Sequence, residues 1–138
     1  MADQFKGSIA IVTGGASGIG QALCEALCQR GAQVVIADID VAQAQRLASA
    51  ISANGSHARA THVDVTNREL VQKLVSNTVS EYGRLDYMFN NAAATATRGV
   101  LRDLTLEPWY RAIDVNLLGV LYGTLAAYPL MARQGFGH

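Results

Sequence analysis

The sequence predicts a doubly wound α/β fold, a parallel sheet with helices on both faces. Short apolar runs alternate with amphipathic stretches along the chain, and those runs are continuous instead of alternating in polarity. A glycine-rich turn joins the first run to the first amphipathic stretch. Strands buried on both faces read as unbroken apolar runs, and strands separated by helix-length segments build βαβ units.

Ser8 to Val12 (SIAIV) is the first strand. From Gly18 to Arg30, Ile19, Ala22, Leu23, Ala26 and Leu27 recur at helical spacing, and Gly31 supplies the stop. Val34 to Ala37 is the second strand, closed by Asp38. Val41, Ala44, Leu47, Ala48 and Ile51 mark a second helix ending near Asn54-Gly55. Ala58 to Val65 reads as a third, less apolar strand. Asn67 is placed to cap a third helix, with Leu70, Leu74, Thr78 and Tyr82 on one stripe and Gly83 after it. Leu85 to Asn90 is the fourth strand.

A long last helix is expected from Thr105, carrying Trp109, Ala112, Ile113, Leu117, Val120, Leu121, Leu125 and Tyr128 as packing residues. Pro108 is tolerable in its first turn, and Pro129 is expected to kink or end it. Right-handed crossovers and the usual doubly wound order place the strands 3-2-1-4.

Composition narrows the function classes. Half of the 138 residues are hydrophobic and 16% are charged, so the chain can bury a core. Eleven basic residues balance eleven acidic ones, which gives no electrostatic reason to expect nucleic acid or an anionic membrane as partner. No uninterrupted apolar run reaches the ~18 residues of a membrane span. The start, MADQFKGSIAIV, lacks the pattern of a signal peptide, and a cytoplasmic protein is expected. Cys24 and Cys28 share one helix face, poor geometry for a disulfide, and too few ligands accompany them for a metal. They read as small, reduced core residues, and no metal is expected.

The informative segment is the first turn, Thr13-Gly14-Gly15-Ala16-Ser17-Gly18-Ile19-Gly20. Its glycines let the backbone turn tightly and approach a pyrophosphate, and the following helix offers free N–H groups and the positive end of its dipole. Gly14, Ser17, Gly18, Ile19 and Gly20 are therefore candidate cofactor contacts. Asp38 closes the second strand, 18 residues after Gly20. A carboxylate there can accept hydrogen bonds from both adenosine ribose hydroxyls and would repel a 2′-phosphate. Ala16 and Ile39 flank it where a basic clamp for that phosphate would stand. The dinucleotide these residues suit is NAD, and residues 1–138 read as a single dinucleotide-binding domain, incomplete at its C-terminus.

In this order the motifs resemble the short-chain dehydrogenase/reductase family along the whole chain. Thr13 to Gly20 is similar to the family's Thr-Gly-x-x-x-Gly-x-Gly turn. Asp64-Val65 resembles the pair that contacts the adenine, and Asn90-Asn91-Ala92-Ala93 resembles the family's Asn-Asn-Ala-Gly, with Ala93 in place of the glycine. The resemblance implies cofactor contacts at Asp64, Val65, Asn91, Ala92, Ala93 and Val115. It also implies that Asn116 helps to hold a proton-relay water, and that Asn90 ties the fourth strand to its neighbours.

One family motif is missing. The Tyr-x-x-x-Lys pair that moves the proton requires a lysine four residues after a tyrosine. The only lysines are Lys6 and Lys73, and neither is so placed. The expectation is a truncated or split member: the NAD(H)-binding half of an oxidoreductase, inactive alone. Its parent chemistry is hydride transfer between NAD and a small secondary alcohol or ketone. Two other readings stand beside it, a non-catalytic nucleotide-binding or regulatory module and an assembly partner acting through the last helix. An uncovered fourth strand and last helix lead to the expectation of a homo-oligomer.

Overall fold

The computed structural model describes residues 4–95 and 99–138. Four parallel strands, β1 (Ile9–Thr13), β2 (Gln33–Asp38), β3 (His57–His62) and β4 (Tyr87–Phe89), form one sheet in the order β3-β2-β1-β4. Helices α1 (Gly18–Gln29), α2 (Val41–Ala53) and α3 (Arg68–Tyr82) follow the first three strands. Helices α4 (Glu107–Ile113) and α5 (Gly119–Gln134) follow the fourth.

The continuous apolar strands are explained by two cores. Ala10, Val12, Val34 and Ile36 pack with α1 and α2 on one face. Their neighbours Ile11, Val35 and Ala37 pack with α3 and α5 on the other. Successive side chains point to opposite faces, and both faces are covered. Truncating a fully buried residue such as Ile11 to Ala would cost about 2–5 kcal/mol. β3 is an edge strand, and its exposed His57 and partly exposed Arg59 and Thr61 explain its lower apolar content.

The caps follow local chemistry. Asn67 accepts from Glu69 N and Leu70 N at the start of α3, and Gly83 ends that helix in the left-handed region at φ 78°.

The structure departs from the sequence reading at several places. β3 ends at His62, so Val63 to Val65 leave the sheet. Pro129 does not end its helix, which runs on to Gln134 and stops at Gly135. Leu125, whose carbonyl the proline ring leaves without its helical donor, lies on the exposed side. Finally, α4 and α5 are joined through a π-helical segment, Asp114–Leu118, where Gly119 N donates to Asp114 O.

The last helix also packs by the face opposite to the one its apolar pattern suggests. Gly119, Gly123, Ala126, Ala127 and Met131 are buried, while Trp109, Tyr110, Leu117, Leu121, Leu125 and Tyr128 are exposed. Small residues allow the close approach. A Cβ at Gly119 would lie 2.9 Å from Val65 Cγ2. The expected packing role of the large residues is not fulfilled within this chain. Glu107–Gln134 holds a stretch long and apolar enough to cross a membrane, by length and composition only. Scattered polar residues such as Asp114 and Asn116 break up its apolar runs in the sequence.

The segment that enters β4 is held by Gln134. Gln134 Oε1 accepts from Leu85 N at 3.0 Å, and its Nε2 donates to Leu85 O at 2.9 Å. The outer edge of β4 is not wholly open: His138 N donates to Asp86 O and His138 O accepts from Met88 N, the start of a parallel pairing.

Candidate functional site

One groove, with a volume of about 840 Å³, opens at the C-terminal ends of the strands. That is where open α/β sheets place ligands, and the size suits a small-molecule site. All the candidate cofactor residues line it: Gly14, Ser17, Gly18, Ile19, Gly20, Asp38, Ile39, Asp64, Val65, Asn91, Ala92, Ala93 and Val115.

The floor is the glycine turn. Gly14 has φ +63° and approaches the loop after β4 so closely that a Cβ would lie 2.8 Å from Ala92 Cα. A Cβ on Gly20 would lie 2.1 Å from the carbonyl oxygen of Gly14. Gly18, at φ +52°, meets nothing within 4 Å and faces open space. Ser17 occupies the N-cap of α1, yet its side chain makes no capping bond, and the first turn carries no acidic residue. The leading N–H groups of α1 are thus left without a side-chain acceptor, whereas α2 and α3 have theirs. This is an anion cradle by geometry and by dipole.

A second part of the groove is built on Asp38. Its Oδ2 accepts from Ala16 N and its Oδ1 from Asp40 N, each at 3.0 Å. A carboxylate has about four acceptor sites, so capacity remains for two hydroxyl donors. Ile39 is exposed beside it. Asp64 is a turn residue: its Oδ1 accepts from Thr66 N at 2.9 Å and Thr66 Oγ1 at 2.7 Å, and it also lines the groove.

Asn91 is a brace. Its Nδ2 donates to Thr13 O at 3.0 Å and Gly14 O at 3.2 Å, while Thr13 Oγ1 accepts from Asn91 N and Ala92 N. The residue that ties β4 to β1 is therefore Asn91. Asn90 instead reaches Thr124 on α5, and a Cβ on Gly123 would lie 1.9 Å from Asn90 Oδ1. Ala93 fits without left-handed strain, since no described non-glycine residue has a positive φ.

Asn116 is exposed and is not among the groove-lining residues. Its Oδ1 accepts from Ala94 N and its Nδ2 donates to Ala94 O, both at 2.8 Å. The amide acts as a two-point clamp on the loop after β4, and it sits inside the π-helical segment. Sequence reasoning missed Val63, Thr66, Ala94, Glu107, Tyr110, Arg111 and Asp114, which also line the groove. Glu107, Tyr110 and Arg111 lie on α4, directly before the π-helical segment, and carry no local sequence signal for the site.

Both cysteines are buried and free. Burial pushes the Cys24 thiol up to about 12 and the Cys28 thiol to about 11, so both stay protonated and poorly nucleophilic. Among the described residues no cluster of His, Cys, Asp or Glu is grouped to hold a metal ion.

Comparison with known proteins agrees with this geometry. A family profile described as short chain dehydrogenase matches residues 8–138. The chain is 34% identical over 137 residues to a cyclohexanol dehydrogenase of an Acinetobacter species, covering 99% of this chain and 55% of that one. It is 39% identical over 137 residues to tropinone reductase-like 2 of Erythroxylum coca, covering 97% and 49%. A short chain dehydrogenase/reductase from Burkholderia phymatum, solved in complex with NAD, superposes with a TM-score of 0.90 at 31% identity. That match covers 95% of this chain and 46% of the other. The chain spans about half the length of the relatives it matches.

Proposed function

The chain belongs to the short-chain dehydrogenase family, and on that premise we propose that it is the NAD(H)-binding half of an oxidoreductase. The observation that carries this reading is the pairing of the uncapped α1 N-terminus with Asp38 in one groove. The first suits a diphosphate and the second suits ribose hydroxyls. The open space above Gly18 is what a close-lying phosphate requires. When bound, NAD supplies the hydride acceptor.

The chain's own residues bind and orient. The α1 N–H groups neutralise diphosphate charge, and Asp38 takes the ribose hydroxyls and repels a 2′-phosphate. Asp64 and Val65 flank the adenine. Asn91 to Ala93, with Val115, border the remainder of the cofactor, and Asn116 holds the loop beside which a proton relay would run. The relay's acid–base pair is not among these residues, because no lysine follows a tyrosine by four. A small secondary alcohol or ketone is handled only when residues supplying that pair are provided. Calorimetric titration with NAD tests the reading, which fails if no saturable binding is seen.

A specific observation also favours assembly with a second copy of the chain. The exposed large apolar residues of α4 and α5 form a patch of the kind that monomers rarely leave uncovered. A homo-oligomer in the cytoplasm is the state we propose; for the compartment, the support is that Cys24 and Cys28 are buried and unpaired.

A further inference from the structure

Gln43, on the first turn of α2, lies outside the residues that line the groove. It is partly buried, and its Nε2 donates to the carbonyl oxygen of Ala16 at 3.0 Å. The N–H of the same Ala16 donates to Asp38 Oδ2 at 3.0 Å. Asp38 Oδ1 accepts from Asp40 N, and Asp40 Oδ1 accepts from Gln43 N at 2.9 Å. These four hydrogen bonds close a ring through Ala16, Asp38, Asp40 and Gln43.

The ring has a chemical logic. A Gln three residues after an N-cap Asp ordinarily turns back to bond the N-cap N–H. Here Asp38 already accepts that N–H, which releases the Gln43 side chain to cross to the glycine turn. Ala16 is 2% exposed and has both backbone polar groups taken by side chains. Asp38 is bonded to two different elements and cannot rotate without leaving Ala16 N unpaired, a costly state for a buried donor.

We infer that Gln43 is a positioning residue for cofactor choice: by fixing Ala16 it locks the Asp38 carboxylate in the orientation that accepts ribose hydroxyls and excludes a 2′-phosphate. The inference rests on the proposed NAD reading. It adds a determinant that touches neither the cofactor nor the groove.

The test compares the wild-type chain with Gln43→Met and Gln43→Ala by calorimetric titration with NAD and with NADP, beside thermal melts. Met is close in length, a good helix former and has no N–H donor. The expected result is a loss of NAD affinity of about fivefold, the equivalent of one net hydrogen bond, with NADP affinity unchanged or raised. The preference for NAD then falls while the melting curve moves little. If Gln43→Met does not fold, Gln43→Ala decides by the same ratio. Unchanged affinities, or equal weakening of both dinucleotides, overturn the inference and leave the NAD reading standing. A wild-type chain that binds neither dinucleotide overturns that reading and this inference with it.

Discussion

Gly18 and Gly20 stand two residues apart in one turn, yet a methyl group at each position has opposite consequences. At Gly20 the new Cβ would lie 2.1 Å from Gly14 O and 2.7 Å from Asn91 Nδ2. Neither neighbour can yield, since Gly14 belongs to the turn and Asn91 is pinned to Thr13. Overpacking of this kind costs about 1–3 kcal/mol. At roughly 3–5 °C per kcal/mol for a domain of this size, Gly20→Ala lowers Tm by several degrees or more. Gly18 has φ +52° with nothing within 4 Å. Gly18→Ala therefore carries only the left-handed cost of about 1–2 kcal/mol, and the chain stays folded. Its methyl, however, would occupy open space in the groove that Gly18 lines at the start of α1. Losing charge-assisted bonds worth about 1.5–3 kcal/mol weakens NAD by roughly 10–150-fold. Thermal melts and titration calorimetry on both variants separate the two effects. A Gly18→Ala chain with wild-type NAD affinity would refute the placement of the diphosphate. A Gly20→Ala chain with wild-type Tm would refute the close packing of the turn.

Asp38→Ala is expected to weaken NAD by ~1–3 kcal/mol through unpaired ribose hydroxyls, and to narrow its margin over NADP in parallel titrations. Cys24 and Cys28 are expected to resist a thiol-reactive dye at pH 8 in the folded chain and to react once it is unfolded. Because burial raises both thiols above their ordinary value of 9.0, their neutral form favours folding fully below pH 9. That contribution is lost as pH rises toward 11–12, where the folded thiols also ionise; urea melts from pH 7 to 10 would show stability falling above 9, and a flat profile would contradict it. Light scattering on a sizing column is expected to give an oligomer for the wild-type chain. Leu117→Glu combined with Leu121→Glu, both on the exposed stripe, is expected to return it to a monomer; a monodisperse wild-type monomer would sink that proposal.

The sheet order and the glycine turn were legible because local rules and global packing agree there. Ala10 to Val12 and Val34 to Ala37 are apolar on every residue, and such runs suit only strands covered twice. The last helix was legible in length but not in orientation. Its large side chains form the louder periodic signal, while burial follows Gly119, Gly123 and Ala126, whose small size permits close packing on the sheet. The π-helical segment at Asp114–Leu118 was invisible in the sequence, as was the bond within it from Asn116 to Ala94, 22 residues away. The part played by Gln43 was hidden likewise, since a Gln three residues after an N-cap reads as helix capping until the partner of Asp40 N is known. The bracing role of Asn91 was not legible beside its expected cofactor contact, since its partners Thr13 and Gly14 lie more than 70 residues away, and the partner of Asn90 proved to be Thr124 on α5.

The most direct test is calorimetric titration of the purified 138-residue chain with NAD and NADP side by side. The account predicts saturable binding of one NAD per chain. NADP is expected to be weaker by roughly fivefold or more, since a carboxylate facing a phosphate charge at about 4 Å costs on the order of 1–4 kcal/mol between water and a protein surface. Absence of NAD binding, or equal affinity for the two dinucleotides, would contradict it.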